Sequence, residues 1–167
     1  LGNVGTASVG VTVQNSPVVT TPFYLAFDGL DDYVTVADAD ALSLGTAGGD
    51  TPLTLEMWLT PVTVAGKQQL VGKWLDGTTR EYKLYLAGGT IRLDLYDRSA
   101  QAMVSAYTAA SALVGGWHHL AVTYDGRGGA TAASGLTFYL DGVAVPATRI
   151  NSATYIATEN TPAPLPT

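Results

Sequence analysis

The amino-acid sequence predicts an all-β protein built as a two-sheet antiparallel sandwich, and three observations carry that expectation. Short runs rich in β-branched and aromatic residues recur at regular spacing, dipeptides of Gly with Asp or Gly separate them, and no segment carries the charge pairing of a solvent-facing helix. With three Glu and three Lys in 167 residues, Glu/Lys pairs four apart cannot lace a helix surface. Charged residues make up 13% and hydrophobic ones 47%, and Gly, Ala and Thr fill the difference, a profile that suits strands and turns.

In chain order, residues 6–14 alternate so that Val9, Val11 and Val13 share one face, as in a half-buried strand. Pro17 and Pro22, each inside a polar triplet, then break the pattern, because proline offers a ladder no donor. Residues 16–22 therefore read as a linker, residues 1–15 as a terminal strand and residues 23–167 as the main domain. Strand-like runs follow at 24–27, 33–36, 53–59, 69–73, 81–86, 90–96, 102–107, 117–124 and 136–140. Between them, Asp28-Gly29, Asp76-Gly77, Gly88-Gly89, Asp125-Gly126 and Asp141-Gly142 supply the positive φ of tight turns or bulges.

Alternation assigns the faces. Leu53, Leu55, Met57 and Leu59 point one way against Thr54, Glu56 and Trp58, and Ile91, Leu93 and Leu95 oppose Arg92, Asp94 and Tyr96. One row of each packs inward. The polar-aromatic rows suit either the concave surface of a curved sheet or plain cross-strand pairing on a wet face.

Charge and composition exclude several functions. A net charge of -6, with eight basic residues dispersed along the chain, argues against nucleic acid, which needs clustered Lys and Arg. No polybasic segment and no apolar run near the ~20 residues that span a bilayer are present, so membrane insertion is not expected. The absence of Cys removes disulfides, thiolate metal sites and cysteine nucleophiles, and fits a bacterial or viral exterior.

Four segments in order resemble the concanavalin A-like lectin and glucanase jelly rolls, in particular their laminin G-like branch. They are Leu25-Ala26-Phe27-Asp28-Gly29-Leu30-Asp31-Asp32-Tyr33-Val34-Thr35-Val36; Leu53-Thr54-Leu55-Glu56-Met57-Trp58-Leu59-Thr60-Pro61; Gly116-Trp117-His118-His119-Leu120-Ala121-Val122-Thr123-Tyr124-Asp125-Gly126; and Leu136-Thr137-Phe138-Tyr139-Leu140-Asp141-Gly142-Val143-Ala144-Val145. The third is the most specific, joining a Trp-His-His start to a Tyr-Asp-Gly end on one strand. The resemblance implies a jelly-roll sandwich over residues 23–167 that lacks its closing C-terminal strands, supplied by chain not given or by a neighbouring domain or subunit. Residues 2–13 resemble the last strand of a bacterial immunoglobulin-like repeat, or else form an arm that adds a strand to the sandwich.

The function so implied is a non-catalytic carbohydrate-binding or adhesion module of a modular surface protein, outside the cell, on its surface or on a virion. Its partners would be a glycan or a protein at a surface. The alternative is a structural decoration or fibre component of a virion or cell-surface assembly, and a glycan hydrolase or lyase ranks below both. Hydrolases on this fold place Glu-x-Asp-x-x-Glu on one strand, whereas Glu56, Glu81 and Glu159 stand alone and Asp38 and Asp40 fall in a turn. His118 and His119, adjacent on a strand, face opposite ways and cannot share an ion. Calcium is the implied cofactor, since a Gly- and Asp-rich rim offers hard oxygen ligands, and Asp28 is the position carried over as metal ligand. Asp31, Asp32 and Asp76 read more readily as turn residues bonding their own backbone. Of Tyr82, Tyr85, Tyr96, Tyr107, Trp58 and Trp74, most are expected in the core or as cross-strand pairs, and Trp74, at a strand end, is the expected ligand-binding residue.

Overall fold

A computed structural model describes residues 11–14, 18–20, 24–46, 49–75 and 79–160. The calls at residues 1–10, at Asn15-Ser16-Pro17 and Thr21-Pro22, at the Asp76-Gly77 turn and at the 161–167 tail lie outside the described residues. The chain divides into two compact units, the smaller running to Ala39 and the larger beginning at Asp40. In the smaller one, β1 (Val11–Gln14) comes first, β2 (Val18–Thr20) falls within the stretch read as a linker, and β3 (Tyr24–Ala26) and β4 (Tyr33–Val36) follow. Both ladders, β1 with β4 and β2 with β3, are antiparallel.

The larger unit opens with a 3-10 turn at Asp40–Leu42 and a small ladder of β5 (Gly45–Thr46) with β6 (Gly49–Asp50). Strand β7 (Leu53–Leu59) then enters one sheet. Next, β8 (Lys67–Leu75), β9 (Thr79–Ala87), β10 (Thr90–Asp97) and β11 (Ala102–Ala109) run as an antiparallel meander in the other. Strands β12 (His118–Tyr124), β13 (Leu136–Leu140) and β14 (Val143–Val145) return to the first sheet, and β15 (Thr148–Ile150) closes on β11. The orders are β14-β13-β12-β7 and β15-β11-β10-β9-β8, two antiparallel sheets as a jelly-roll sandwich requires.

Every run read as a strand from residue 24 onward falls on one. The β9–β10 connection is two residues long and needs positive φ at both, and Gly88 (φ 55°) and Gly89 (φ 78°) supply it without a Cβ penalty. The core forms where the two inner faces meet: Leu84, Leu86, Ile91, Leu93, Leu95 and Val104 from one sheet pack with Leu120, Val122, Leu136 and Phe138 from the other. Leu53, Leu55, Met57 and Leu59 pack on this core from β7, half-buried, while Trp58 on the opposite side is 66% exposed.

Two carboxylates tie the irregular segment 151–160 to this sandwich. Asp50 accepts the Tyr124 hydroxyl at 2.7 Å and the Tyr155 hydroxyl at 2.8 Å on Oδ2, and the Thr158 backbone N–H (2.7 Å) and hydroxyl (3.0 Å) on Oδ1. Asp97 accepts the N–H groups of Ile156 (2.8 Å), Ala157 (3.3 Å) and Ala100 (2.8 Å) and the Ser99 hydroxyl (3.0 Å). A segment without a ladder has its backbone donors satisfied in this way. Burial alone would raise the Asp97 pKa, but the four hydrogen bonds outweigh it and hold the carboxyl below its ordinary value.

Two outcomes follow from these clamps. Asp50→Ala leaves the Tyr124 and Tyr155 hydroxyls without their acceptor and lowers unfolding stability by about 3 kcal/mol in a urea titration. Because the folded pKa of Asp97 is depressed, its contribution is fully present above the unfolded carboxyl value of about 4 and is lost as pH falls through the folded value. Asp97→Asn should therefore flatten the fall of the urea midpoint below about pH 4; an unchanged slope would assign it to other carboxylates.

Candidate functional site

The residues that could bind a ligand are gathered by the register of the meander. Across β9, β10 and β11, Lys83 pairs with Asp94 and Asp94 with Ser105, while Tyr85 pairs with Arg92 and Arg92 with Tyr107. These side chains share the sheet face turned away from the core, because Leu84, Leu86, Leu93 and Val104 alternate with them inward. At the β8 side the register shifts: Lys73 pairs with Tyr82 but Trp74 pairs with Arg80, leaving Glu81 as the extra residue of a β-bulge. The bulge puts Arg80 and Trp74 on the outer face with Lys83. Glu81 turns instead to Lys73, 3.0 Å away, where Ser43 bonds both.

On the outer face, Asp94 is saturated. It accepts Tyr85 OH at 2.9 Å and Ser105 Oγ at 2.7 Å and lies 3.5 Å from Lys83 Nζ. Lys83 is 8% exposed and Asp94 1%, so the pair is buried although it stands on the outer face. Burial, then the adjacent Asp94 charge and its hydrogen bond, pushes the Tyr85 phenol up to about 12, which keeps it a donor. Lys83 Nζ also sits 3.9 Å from the Trp74 ring centroid and 5.0 Å from that of Tyr85. Trp74 meets Tyr96 edge to face at 5.8 Å, and the Arg80 guanidinium lies 5.7 Å and 5.4 Å from these two rings. Arg92 rests on Tyr107 at 4.9 Å, and Lys67 reaches Tyr85 at 5.9 Å. The result is a floor of rings interleaved with cations.

The aromatic candidates thus divide. Tyr82 is in the core, its hydroxyl donating to the Leu42 carbonyl at 2.9 Å, while Trp74, Tyr85, Tyr96 and Tyr107 share the outer face. Trp58 lies on the other sheet, tilted against His119 at 5.3 Å. The two histidines do diverge: His118 Nδ1 meets Asp141 Oδ2 at 2.8 Å, and His119 Nε2 lies 3.5 Å from Glu56 Oε2. Each histidine thus has a carboxylate partner of its own, and the two do not converge on one point. The His118 hydrogen bond, then the His119 N–H, holds the Asp141 carboxyl below its usual value.

Asp28 stands in the smaller unit with Asp31 and Asp32, and one oxygen from each lies within 4.8 Å of the others. Local bonds shape this loop: Leu30 N–H donates to Asp28 Oδ1 at 2.8 Å, and Asp28 N–H donates to Asp32 Oδ2 at 3.0 Å. These are the turn roles expected of Asp, and they leave one carboxylate oxygen on each of Asp28 and Asp32 for a hard cation.

The involvement of Arg80 and Lys83 was missed by sequence reasoning. Lys83 and Tyr85 alternate with Tyr82, Leu84 and Leu86, so their outward placement was readable, but nothing local marks the bulge that recruits Arg80. Residues 27–164 match the laminin G-like family model of the concanavalin A-like lectin/glucanases superfamily. A search among curated proteins finds no match.

Removing one member of the buried pair tests the architecture of this face. Lys83→Met should cost about 3 kcal/mol in a urea titration, since Asp94 keeps two hydroxyls but loses its counter-charge. Lys83→Met with Asp94→Asn should recover part of that loss; a double variant no more stable than the single would mean that the pair is not what holds the face.

Proposed function

Because the chain belongs to the concanavalin A-like lectin/glucanases superfamily, we propose that it is a non-catalytic carbohydrate-binding or adhesion module of a modular surface protein, displayed outside the cell or on a virion. In this reading a glycan docks on the outer face of the five-stranded sheet, with Trp74 as its principal platform. The observation that carries the reading is the Trp74–Tyr96 pair with Arg80 against both rings, a fixed apolar surface edged by donors. Sugar rings stack their C–H faces on aromatic side chains while polar neighbours read the hydroxyls.

A binding role also suits the state of Asp94. Hydrolysis with retention uses two carboxyl groups about 5–5.5 Å apart, one of them free to act on the glycosidic oxygen. Asp94 is the one carboxylate that the register places on this face among the described residues, and Tyr85, Ser105 and Lys83 engage it. We assign it a structural role.

The reading includes a calcium ion held by Asp28 with Asp31 and Asp32. Three carboxylates supply part of the six to eight oxygens that calcium takes, and the loop's own carbonyls and water would complete the shell. Bound there, calcium would brace the loop, and a dissociation constant of about 10⁻⁴–10⁻³ M is expected, as in extracellular modules. Calorimetry should show one ion per chain, lost in Asp28→Ala; heat that persists in this variant would place the ion elsewhere.

A glycan array probed with the full chain, with calcium and with EDTA, tests the main reading. Saturable binding to a defined set of sugars is expected, weakened about tenfold or more by Trp74→Ala. A blank array in both arms would overturn it and favour the structural component of a surface assembly.

A further inference from the structure

The eight basic residues are scattered in sequence, yet the meander brings Lys67, Arg80, Lys83 and Arg92 to a single face of a chain whose net charge is -6. Three of the other four basic groups are spoken for. Lys73 pairs with Glu81, Arg127 with Asp125 at 2.6 Å, and Arg149 donates to the carbonyls of Ala147 and Leu136. Arg80 and Arg92 differ, having no carboxylate and no hydrogen-bond acceptor among the described residues. Each is held by rings: Arg80 by Trp74 and Tyr96, Arg92 by Tyr107.

In both, Nε is covered and lacks a hydrogen-bond partner, which leaves the two terminal amino groups as the edge available to a ligand. A planar fork fixed in this way matches two oxygens of one anion, and its orientation is set before the anion arrives. A neutral hydroxyl asks for less. On these grounds we infer that the ligand of this face is an acidic oligosaccharide, whose carboxylate or sulfate groups are received end-on by Arg80 and Arg92. The inference rests on the glycan-binding reading above and narrows it to a class of sugar.

The spacing favours a chain over a single sugar. Arg80 lies against Tyr96, and Arg92 is four residues back along β10, a backbone separation of about 13 Å at the rise of an antiparallel strand, so the two forks serve separate points of the face. One anion cannot bridge that distance, whereas a repeating acidic polymer presents a group to each. Between them the Lys83–Asp94 pair is already neutralised and offers a polar floor. The rings beside each fork favour sugars over an acidic peptide, which brings the anion without a stacking face.

The test uses the full chain and oligosaccharides of equal length: oligogalacturonate for carboxylate, a sulfated glucan for sulfate and a malto-oligosaccharide as the neutral partner. Calorimetry should show an acidic sugar bound at least tenfold tighter than the neutral one, an advantage that shrinks as salt rises from about 50 to about 500 mM. The acidic tetramer should also exceed its own monomer by more than tenfold. Lowering the pH to about 3 shrinks the advantage if carboxylate is the group and leaves it if sulfate is, with circular dichroism at the same pH to show that the chain is still folded. Arg80→Gln with Arg92→Gln should erase the acidic-over-neutral ratio, and Arg92→Lys, which keeps the charge without the fork, should restore only part of it.

Neutral sugars that bind as tightly as acidic ones, with a ratio indifferent to both arginines, overturn the inference and leave glycan binding intact. Polyglutamate or single-stranded DNA that competes as well as the acidic sugar overturns it too. Failure of every sugar to bind removes the reading beneath it.

Discussion

The β-bulge at Glu81 is the constraint on which the two faces of the five-stranded sheet depend. Strict alternation would put residue 80 on the side of Tyr82, Leu84 and Leu86, in the core, and residue 81 outside with Lys83 and Tyr85. The extra residue reverses both assignments. Arg80 reaches Trp74 and Tyr96, and Glu81 reaches Lys73 and Ser43, closing a buried charge pair beside the segment that carries Leu42 and Leu44. A single insertion thus separates a cation that must stay near solvent from an anion that has a buried partner.

A second constraint comes from the distal segment. Residues 155–158 make no ladder, and their attachment rests on Asp50, from the small ladder before β7, and Asp97, from the end of β10. Gly45 permits the approach, since a Cβ there would stand 1.9 Å from the Thr158 carbonyl oxygen. Tyr155, almost wholly buried, plugs the sandwich where its hydroxyl meets Asp50. Side-chain carboxylates do here what a further strand would do with backbone groups.

The sandwich itself was legible in the sequence because period-two patterning survives one-sided burial. Leu53–Leu59 has the predicted bounds and the predicted faces, and the Gly-containing turns at Gly88-Gly89 and Asp141-Gly142 take the positive φ they were read for. The short strand β15 was not seen, since three residues carry no periodicity. The candidate face was half legible. Arg92, Asp94 and Tyr96 announce an outward row, and Trp74 stands out as an aromatic at a strand end, but register decides which residues of neighbouring strands meet them. The basic residues counted as dispersed lie at 67, 80, 83 and 92, and antiparallel pairing folds that 26-residue span onto one face. The partner of His118 was not legible for a related reason, as Asp141 arrives from the β13–β14 turn.

Burial on both faces of β9 explains how a chain with little charge can spend two ion pairs on one sheet. An isolated Lys or Asp at such low exposure would cost several kcal/mol, about what a buried charge costs without a partner. Lys83 is compensated by Asp94 and by the rings of Trp74 and Tyr85, and Asp94 by two hydroxyls as well, so that pair adds geometry to the sheet without adding net charge. Arg80 and Arg92 are not compensated in that way. Their charge is set on rings, and this division of labour, one pair closed on itself and two forks without a carboxylate among the described residues, is the feature on which the proposed recognition role of the outer face rests.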